Sequence, residues 1–544
     1  MNLLTIASSA GGLSSVDWAV LAAYMVLLLV TGVIFSRREQ KNTDDYFLGG
    51  RRMPVWAVAL SIIASSLSVA TFIGVPQFSF NGDLTYLSSN IGGVIAILIV
   101  ALVFIPAFYR ANVTSIYELL EHRLGPGAKS AASATFMIGR VFASGARIYI
   151  ASIPLALLLF GDRGAEQPSW HYIVASIVMV AIGVAYTLVG GIASVIWTEV
   201  VQTIVLLGAV AAAIALLLHR IPIGTSEIVT LLDHPSTPGG ASKLTLLDTG
   251  HAWDKPYTLW TALIGFTLMG LASYGTDHDL AQRMLTCKSA VKGGQSAVVA
   301  ILLSIPIVAM FMLIGLLLWV FYMRPDVMGS AAPAYQPGDS RKVFLTFILR
   351  EMPPGLSGVM LAGLLSVGIS SLNSALNAMS ATAIKDFYMV ARPGRPPTHY
   401  VAAGRVGVVL WGVALAGFAC LCVVWQSSNA ANLIDFALGV MTFAYAGLLA
   451  VFLTALFTRR GNSVSAIAAL VTGFIVIALL QPPVWKAWAT FIPLEKGTLA
   501  DFTLAWPWHL ATGVALSTAV CCLGARPPER HGISAASDAQ PGNT

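Results

Sequence analysis

Residues Ala59–Pro76, ALSIIASSLSVATFIGVP, decide how this chain must be read. The run is apolar enough to lie in a membrane. It nevertheless sets Ser65, Ser66, Ser68 and Thr71 at mid-depth and follows them with Gly74 and Pro76. Four hydroxyls ahead of a Gly and a Pro predict a helix that unwinds partway across. An unwound segment leaves carbonyl oxygens without amide donors, and such discontinuous helices mark solute and ion sites in transporters. Small polar residues also serve close helix packing, so that reading stands beside the first.

The surrounding sequence supports a membrane setting. Hydrophobic residues make up 57% of the 544 and charged residues only 10%, against roughly 25% charged in soluble domains. A chain this apolar cannot cover a water-facing surface. A membrane helix needs about 20 mostly apolar residues, and thirteen stretches qualify. They begin at Val16–Ser36 and end at Trp508–Leu523. Among them are the second (Val55–Phe80), fourth (Ala131–Phe160), sixth (Ile192–Leu218), seventh (Tyr257–Tyr274) and ninth (Gly355–Asp386). We expect one transmembrane unit over residues 1–525 and a disordered cytoplasmic tail over 526–544.

The net charge of +6 is explained by where the basic residues lie. Alternate loops carry Arg37, Arg38, Lys41, Arg51 and Arg52, then Arg110, Arg123 and Lys129, then Arg283, Lys288 and Lys292. Basic loops stay on the cytoplasmic side. This predicts an N-terminus outside and a C-terminus inside a cell membrane, and gives no reason to invoke nucleic acid. Two outer loops are long, His219–Pro256 and Met323–Pro354, and Arg341–Met352 has the pattern of a short amphipathic helix. No soluble domain is evident, which weighs against a receptor, a transporter-like sensor or a soluble partner. No Lys or Arg precedes Arg37, so no cleavable signal peptide is expected. The five cysteines lack metal-site spacing.

The ninth stretch carries a polar stripe. Ser370, Asn373, Ser374 and Asn377 share one helical face, with Ser371 beside them. Hard oxygen ligands without thiol or imidazole suit a hard cation such as sodium; interhelical hydrogen bonding is the plainer account. The fourth stretch carries Arg140 and Arg147, two turns apart. A buried guanidinium seeks a carboxylate, so Arg140 either holds an acidic solute, pairs with Glu199 or caps helix carbonyls. Glu199, in the inner half of the sixth stretch, is an ion ligand, a proton carrier or a structural partner, and lies at the depth of Ser374. Asp435 is placed to snorkel to water. His278 between Asp277 and Asp279 is read as a loop feature, and no nucleophile elbow or His-Glu metal motif suggests an enzyme.

Five segments together resemble the sodium/solute symporter family, which couples sodium to sugars, proline, iodide, vitamins and sialic acid. They are DDYFLGGRRMPVWAVALSIIASSLSVATFIGVP (44–76), ANVTSIYELLEHR (111–123), YTLVGGIASVIWTEVVQ (186–202), DLAQRML (279–285) and SVGISSLNSALNAMSA (366–381). The resemblance implies an all-α LeuT-like fold, with five spans repeated inverted (core repeats about 55–218 and 257–457). It implies a sodium site from the backbone oxygens of Ala64, Leu67 and Val367 and the hydroxyls of Ser370 and Ser371. A second sodium would use Glu199, Ser370, Asn373 and Ser374, although the family's aspartate is here a glutamate and Asn373 replaces a smaller hydroxyl. The aligned sugar-contact positions, Thr71, Asn90, Gly270 and Ser273, suit a hexose poorly. The sialic acid branch offers a closer pattern, implying solute contacts from Ser68, Thr71, Asn90 and Arg140 of the run Ile138-Gly139-Arg140-Val141. The expected activity is sodium-coupled symport of a small, carboxylate-bearing solute such as an acidic sugar. Proton coupling through Glu199 and sodium symport of a neutral sugar are the alternatives.

Overall fold

A computed structural model describes residues 13–36, 49–113, 115–161, 168–188, 192–234, 241–333, 338–427, 432–494, 497–499 and 502–525. Residues 37–48 and the expected tail, 526–544, lie outside them. The helices that position the site are α1 (Ser15–Ser36), α2 (Val55–Ser66), α3 (Ala70–Asn81), α4 (Thr85–Arg110), α5 (Pro126–Phe160), α6 (Ser169–Thr187) and α7 (Ile192–Arg220). They continue with α8 (Leu259–Gly275), α9 (His278–Leu285), α10 (Ala290–Met323), α11 (Val343–Arg350) and α12 (Leu356–Ala391). The last four are α13 (Pro397–Ser427), α14 (Leu433–Phe457), α15 (Ser463–Leu480) and α16 (Trp506–Cys522). Among the described residues, β structure is a ladder of two residues per strand, Pro493–Leu494 with Gly497–Thr498. Among the described residues, nine helices are long and apolar enough to cross a membrane, or eleven when two sharply bent pairs each count as one span.

The bent pairs are α2–α3 and α8–α9, with angles of 64° and 60°. The first break is local chemistry. Leu67 is extended (φ −75, ψ 104), which ends the α2 ladder. Beyond it the amides of Thr71 and Phe72 both turn to the Ser68 carbonyl, at 2.9 and 3.1 Å. The last carbonyls of α2 therefore lack helical donors, with Ile63 served by the Leu67 amide at 2.7 Å. A wide π turn at Ala70–Gly74 restarts the helix, and Pro76, which has no amide proton and so needs no acceptor, stands in its next turn. The second break follows Gly275. Thr276 turns its hydroxyl to Ala272 O, and Asp277 caps α9 by accepting from the Asp279 amide at 3.0 Å. The sequence reading ended this span at Tyr274 and put His278 in a loop. Instead His278 is the first residue of a buried half-helix. Hydropathy overlooks α9 because its charges are neutralised by partners on distant helices.

The burial of each helix sorts scaffold from site. In α12, 89% of the most apolar window is buried, and in α5 and α14 78%, against 33% in α13 and α15. The polar-striped helices are therefore central, and α13 and α15 present apolar faces outward to lipid. Asp17 of α1 accepts from the amides of Gly355 and Gly358 at 2.7 and 2.9 Å, so a carboxylate satisfies the N-terminal amides of α12.

The half-helix α3 is clamped from several sides. A Cβ on Gly315 of α10 would lie 2.2 Å from the Pro76 carbonyl, so only glycine permits that approach. Phe72 stacks on Phe344 of α11 at 5.2 Å. The expected amphipathic helix of the second long loop is thus present as α11 and covers the break. Gln77 accepts from the Leu433 amide at 3.2 Å, and Lys243 of the first long loop donates to Phe80 O and Gly82 O at 3.0 and 2.8 Å.

Candidate functional site

The α2–α3 break faces α12 across a small cavity. Ser68 and Val69 line it from the break, Ser144, Arg147 and Ile148 from α5, and Gly368, Ser371 and Leu372 from α12. Gly368 has no side chain, and a Cβ there would meet Val69 at 3.2 Å, so the break can press against the helix. The Ser371 hydroxyl is buried and has no hydrogen-bond partner. Such a group is costly unless a ligand or ion satisfies it. Ala64, Leu67, Val367 and Ser370 are all buried at this junction. Ser65 and Ser370 both donate to one oxygen of Glu199, at 3.1 and 3.0 Å, which fixes α2 and α12 side by side. The five atoms expected to form a sodium site therefore come from elements that meet here. Free carbonyls and an unsatisfied hydroxyl, with no thiol or imidazole, are the donor set of a hard cation.

Arg147 is the guanidinium at this cavity. Its polar contact is the Met441 sulfur at 3.5 Å, a weak acceptor. Among the described residues no carboxylate forms an ion pair with it.

Arg140 was expected to contact solute. It does not line the cavity. It is 3% exposed and donates to Asp277 at 2.8 Å and Asp279 at 2.5 Å. Two turns separate the arginines, and at this depth the N-terminal end of α9 arrives with two carboxylates. Arg140 pairs internally through Nη2, while its Nε is buried without a hydrogen-bond partner; the carboxylates it meets do not include Glu199. Of the other expected solute contacts, Ser68 lines the cavity. Thr71 is buried just beyond the break. Asn90, half-buried in the first turns of α4, donates to its own helix at Leu87 O, 3.1 Å away. Neither reaches the cavity lining.

The expected second-sodium residues separate. Glu199 and Ser374 do meet, at 3.1 Å, but Arg283 stands with them. Its Nη2 lies 2.9 Å from Glu199 and donates to Ser374 at 2.6 Å. Its Nη1 also pairs with Asp279, and its Nε donates to Ser61 at 3.0 Å. Ser61 in turn donates to the second Glu199 oxygen. Asn373 points the other way, its amide meeting Thr187 of α6 at 2.9 Å, because α12 presents that residue to α6. Tyr445 of α14 completes the cluster by donating to Asp277 at 2.8 Å. A charged lock thus joins α2, α5, α7, α9, α12 and α14. Paired in this way the ions are tolerable; removing one partner typically costs about 3–5 kcal/mol.

Sequence reasoning missed Asp277, Asp279, Arg283, Tyr445 and Ser61. Arg283 had been counted as an inner-loop charge. A signal was available: a chain with so few charges places Asp277, Asp279 and Arg283 within seven residues directly after an apolar run. Asp435 has partners that its sequence neighbourhood does not show. It is half-buried between Tyr257, whose hydroxyl donates at 2.5 Å, and Trp506, whose indole donates at 3.2 Å.

Known proteins match this arrangement over most of the chain. The sodium:solute symporter family model covers residues 46–473. The sodium/sialic acid symporter of Proteus mirabilis (strain HI4320) is 29% identical over 472 residues, 85% of this chain and 88% of that protein. The human sodium/iodide cotransporter is 28% identical, covering 92% of this chain and 73% of its own length. A solved structure of a sodium-coupled sialic acid symporter in a substrate-bound outward-open state superposes with a TM-score of 0.75. It is 25% identical and covers 94% of this chain and 97% of its own. With a family model spanning well over half its length, this chain is a multi-pass membrane transporter, not an enzyme, and belongs to the sodium:solute symporter family.

Proposed function

We propose that this symporter imports a small carboxylate-bearing solute, of the acidic-sugar kind, and that Arg147 rather than Arg140 receives the carboxylate. The observation that carries this reading is the cavity where Ser68, the unsatisfied Ser371 hydroxyl and the carboxylate-free Arg147 converge. A planar guanidinium matches a carboxylate with two parallel hydrogen bonds. The relatives named as sialic acid symporters favour the same solute class. Thr71 and Asn90 are kept as contacts made on the outer side once α3 swings away, since the present cavity is too small for a sugar.

Sodium would bind between the Ala64, Leu67 and Val367 carbonyls and the Ser370 and Ser371 hydroxyls. An ion there ties α2 to α12 and fixes the break, so that Ser68 faces the solute. Each charge carried inward gains about 2.3 kcal/mol per 100 mV. Alternating access then needs the outer clamp on α3 and the inner lock on α9 to open in turn, with occupancy biasing the two states through differential affinity. Counting α1 and α16 with the eleven candidate spans gives thirteen, with the N-terminus outside and the C-terminus inside. The breaks in α2–α3 and α8–α9 would then fall five spans apart, as an inverted five-plus-five repeat requires.

The test is uptake into proteoliposomes of N-acetylneuraminate, lactate and glucose with sodium, potassium or choline outside. Sodium-dependent uptake of a carboxylate, and not of glucose, is expected. Uptake that ignores the cation but follows a proton gradient would instead favour proton coupling.

A further inference from the structure

We infer that Arg283 is the resident cation where Glu199 faces α12, so that this chain binds a single sodium ion. On this assignment Glu199 acts on that ion indirectly, through Ser370. The inference rests on the sodium site proposed above and adds its ion count and its coupling to the lock.

The first argument is saturation. A carboxylate offers about four acceptor positions. One Glu199 oxygen accepts from Ser65, Ser370 and Ser374 at 3.0–3.1 Å and from Arg283 at 2.9 Å; the other accepts from Ser61. Four donors more than fill the first oxygen, and the second faces Ser61, which Arg283 itself holds through Nε. The second argument is charge. Arg283 and Glu199 have side chains that are both 0% exposed, so they compensate each other inside the protein. A second cation about 4 Å from the guanidinium would be repelled by roughly 4 kcal/mol at an effective dielectric of 20. The third is geometry. Arg283 also holds Ser374 and Ser61, so it grips α12 and α2 from α9, as an ion bound there would.

Ser370 is the hinge between this pair and the sodium site. Its proton goes to Glu199, which leaves its oxygen lone pairs for a cation. A hydroxyl that donates to a carboxylate is a stronger ligand, and partners of this indirect kind typically change metal affinity 10–100-fold. Glu199 is therefore a positioning residue. Because Arg283 also pairs with Asp279, the chain Ser370–Glu199–Arg283–Asp279–Arg140 connects the ion to the inner lock by direct contacts.

Equilibrium binding of radioactive sodium to the purified full-length protein decides the count. One ion per chain is expected, and two would overturn the assignment. An absence of saturable sodium binding would instead defeat the underlying sodium-site reading, so the two failures are distinguishable. Arg283→Ala frees Glu199, Ser61 and Ser374 around uncompensated negative charge, so the count should rise to two. A folded variant that still binds one would refute the resident-cation claim, and if it does not fold the wild-type count stands as the test. Glu199→Gln should keep one ion while raising the half-saturating sodium concentration at least about tenfold. Loss of an ion in that variant would show that Glu199 is itself a ligand.

Discussion

The two interrupted spans bend almost equally, by 64° at α2–α3 and 60° at α8–α9, yet they are built from opposite chemistries. The first break is neutral: Ser65, Ser66, Ser68 and Thr71 surround carbonyls with no helical donor. The second is charged: Asp277 caps α9, Asp279 follows, and Arg283 sits one turn on. A neutral break leaves lone pairs available to an ion that must come and go. A charged break has its charges satisfied by Arg140 and Glu199 and so holds helices together until something exchanges the partners. Bending itself does not make a site; what matters is whether the freed groups are already paired.

The two arginines of α5 test that distinction most severely. Arg140→Ala should destabilise the purified protein by about 3–5 kcal/mol, because Asp277 and Asp279 lose a buried partner. Denaturant or thermal unfolding would show it, and an unchanged midpoint would mean that the lock is not closed in the resting protein. Arg147→Ala removes no internal ion pair and should leave the midpoint near wild type. It should instead weaken binding of a carboxylate solute by about 1.5–3 kcal/mol, the value of a hydrogen bond to a charged group. Solute titration at saturating sodium would measure this, and normal affinity would return the solute role to some other residue.

Next in size is Ser371→Ala. Its hydroxyl is buried without a partner, so its loss removes no protein contact. The half-saturating sodium concentration should rise about tenfold, which is roughly 1.4 kcal/mol, with stability in sodium-free buffer unchanged or improved. An unaltered sodium response would place the ion elsewhere and reduce the neutral break to a packing feature.

What the sequence made legible follows the same divide. The first break could be read because hydroxyls, Gly74 and Pro76 are visible in an apolar run, and the stripe Ser370–Ser374 because its spacing repeats on one helical face. The second break could not, since Asp277, His278, Asp279 and Arg283 resemble a solvated loop until Arg140 and Glu199 are known to reach them. Arg140 and Arg147 were equivalent by spacing; only the arrival of α9 at the depth of one and not the other separates them. The hydrogen bonds of Asp435 were hidden for the same reason, its partners Tyr257 and Trp506 being distant in sequence. Local pattern shows where a group is buried, but its partner depends on how the helices pack.

The smallest expected effect concerns the far end of α3, the half-helix that follows the neutral break. Lys243 caps the C-terminal carbonyls of α3 and lies 4.9 Å from the centre of the Trp319 ring. Burial pushes its ammonium down from 10.5 to about 8, with Asp83 pulling partly the other way. Between those values the folded chain has released a proton that the unfolded chain keeps. Stability from this group should therefore rise with pH across that window and stay flat below it. Because the amine sits beside the exposed Gly82, solvent screening should hold the gain to at most about 1 kcal/mol. The melting temperature of wild type relative to Lys243→Met, followed from about pH 7 to about pH 10, should drift in favour of wild type by a degree or two. A flat difference would mean that two carbonyls and the indole ring hold the charge against burial. In that case α3 would carry a permanent cation at its C-terminal end, and the contrast between the spans would be confined to the breaks themselves.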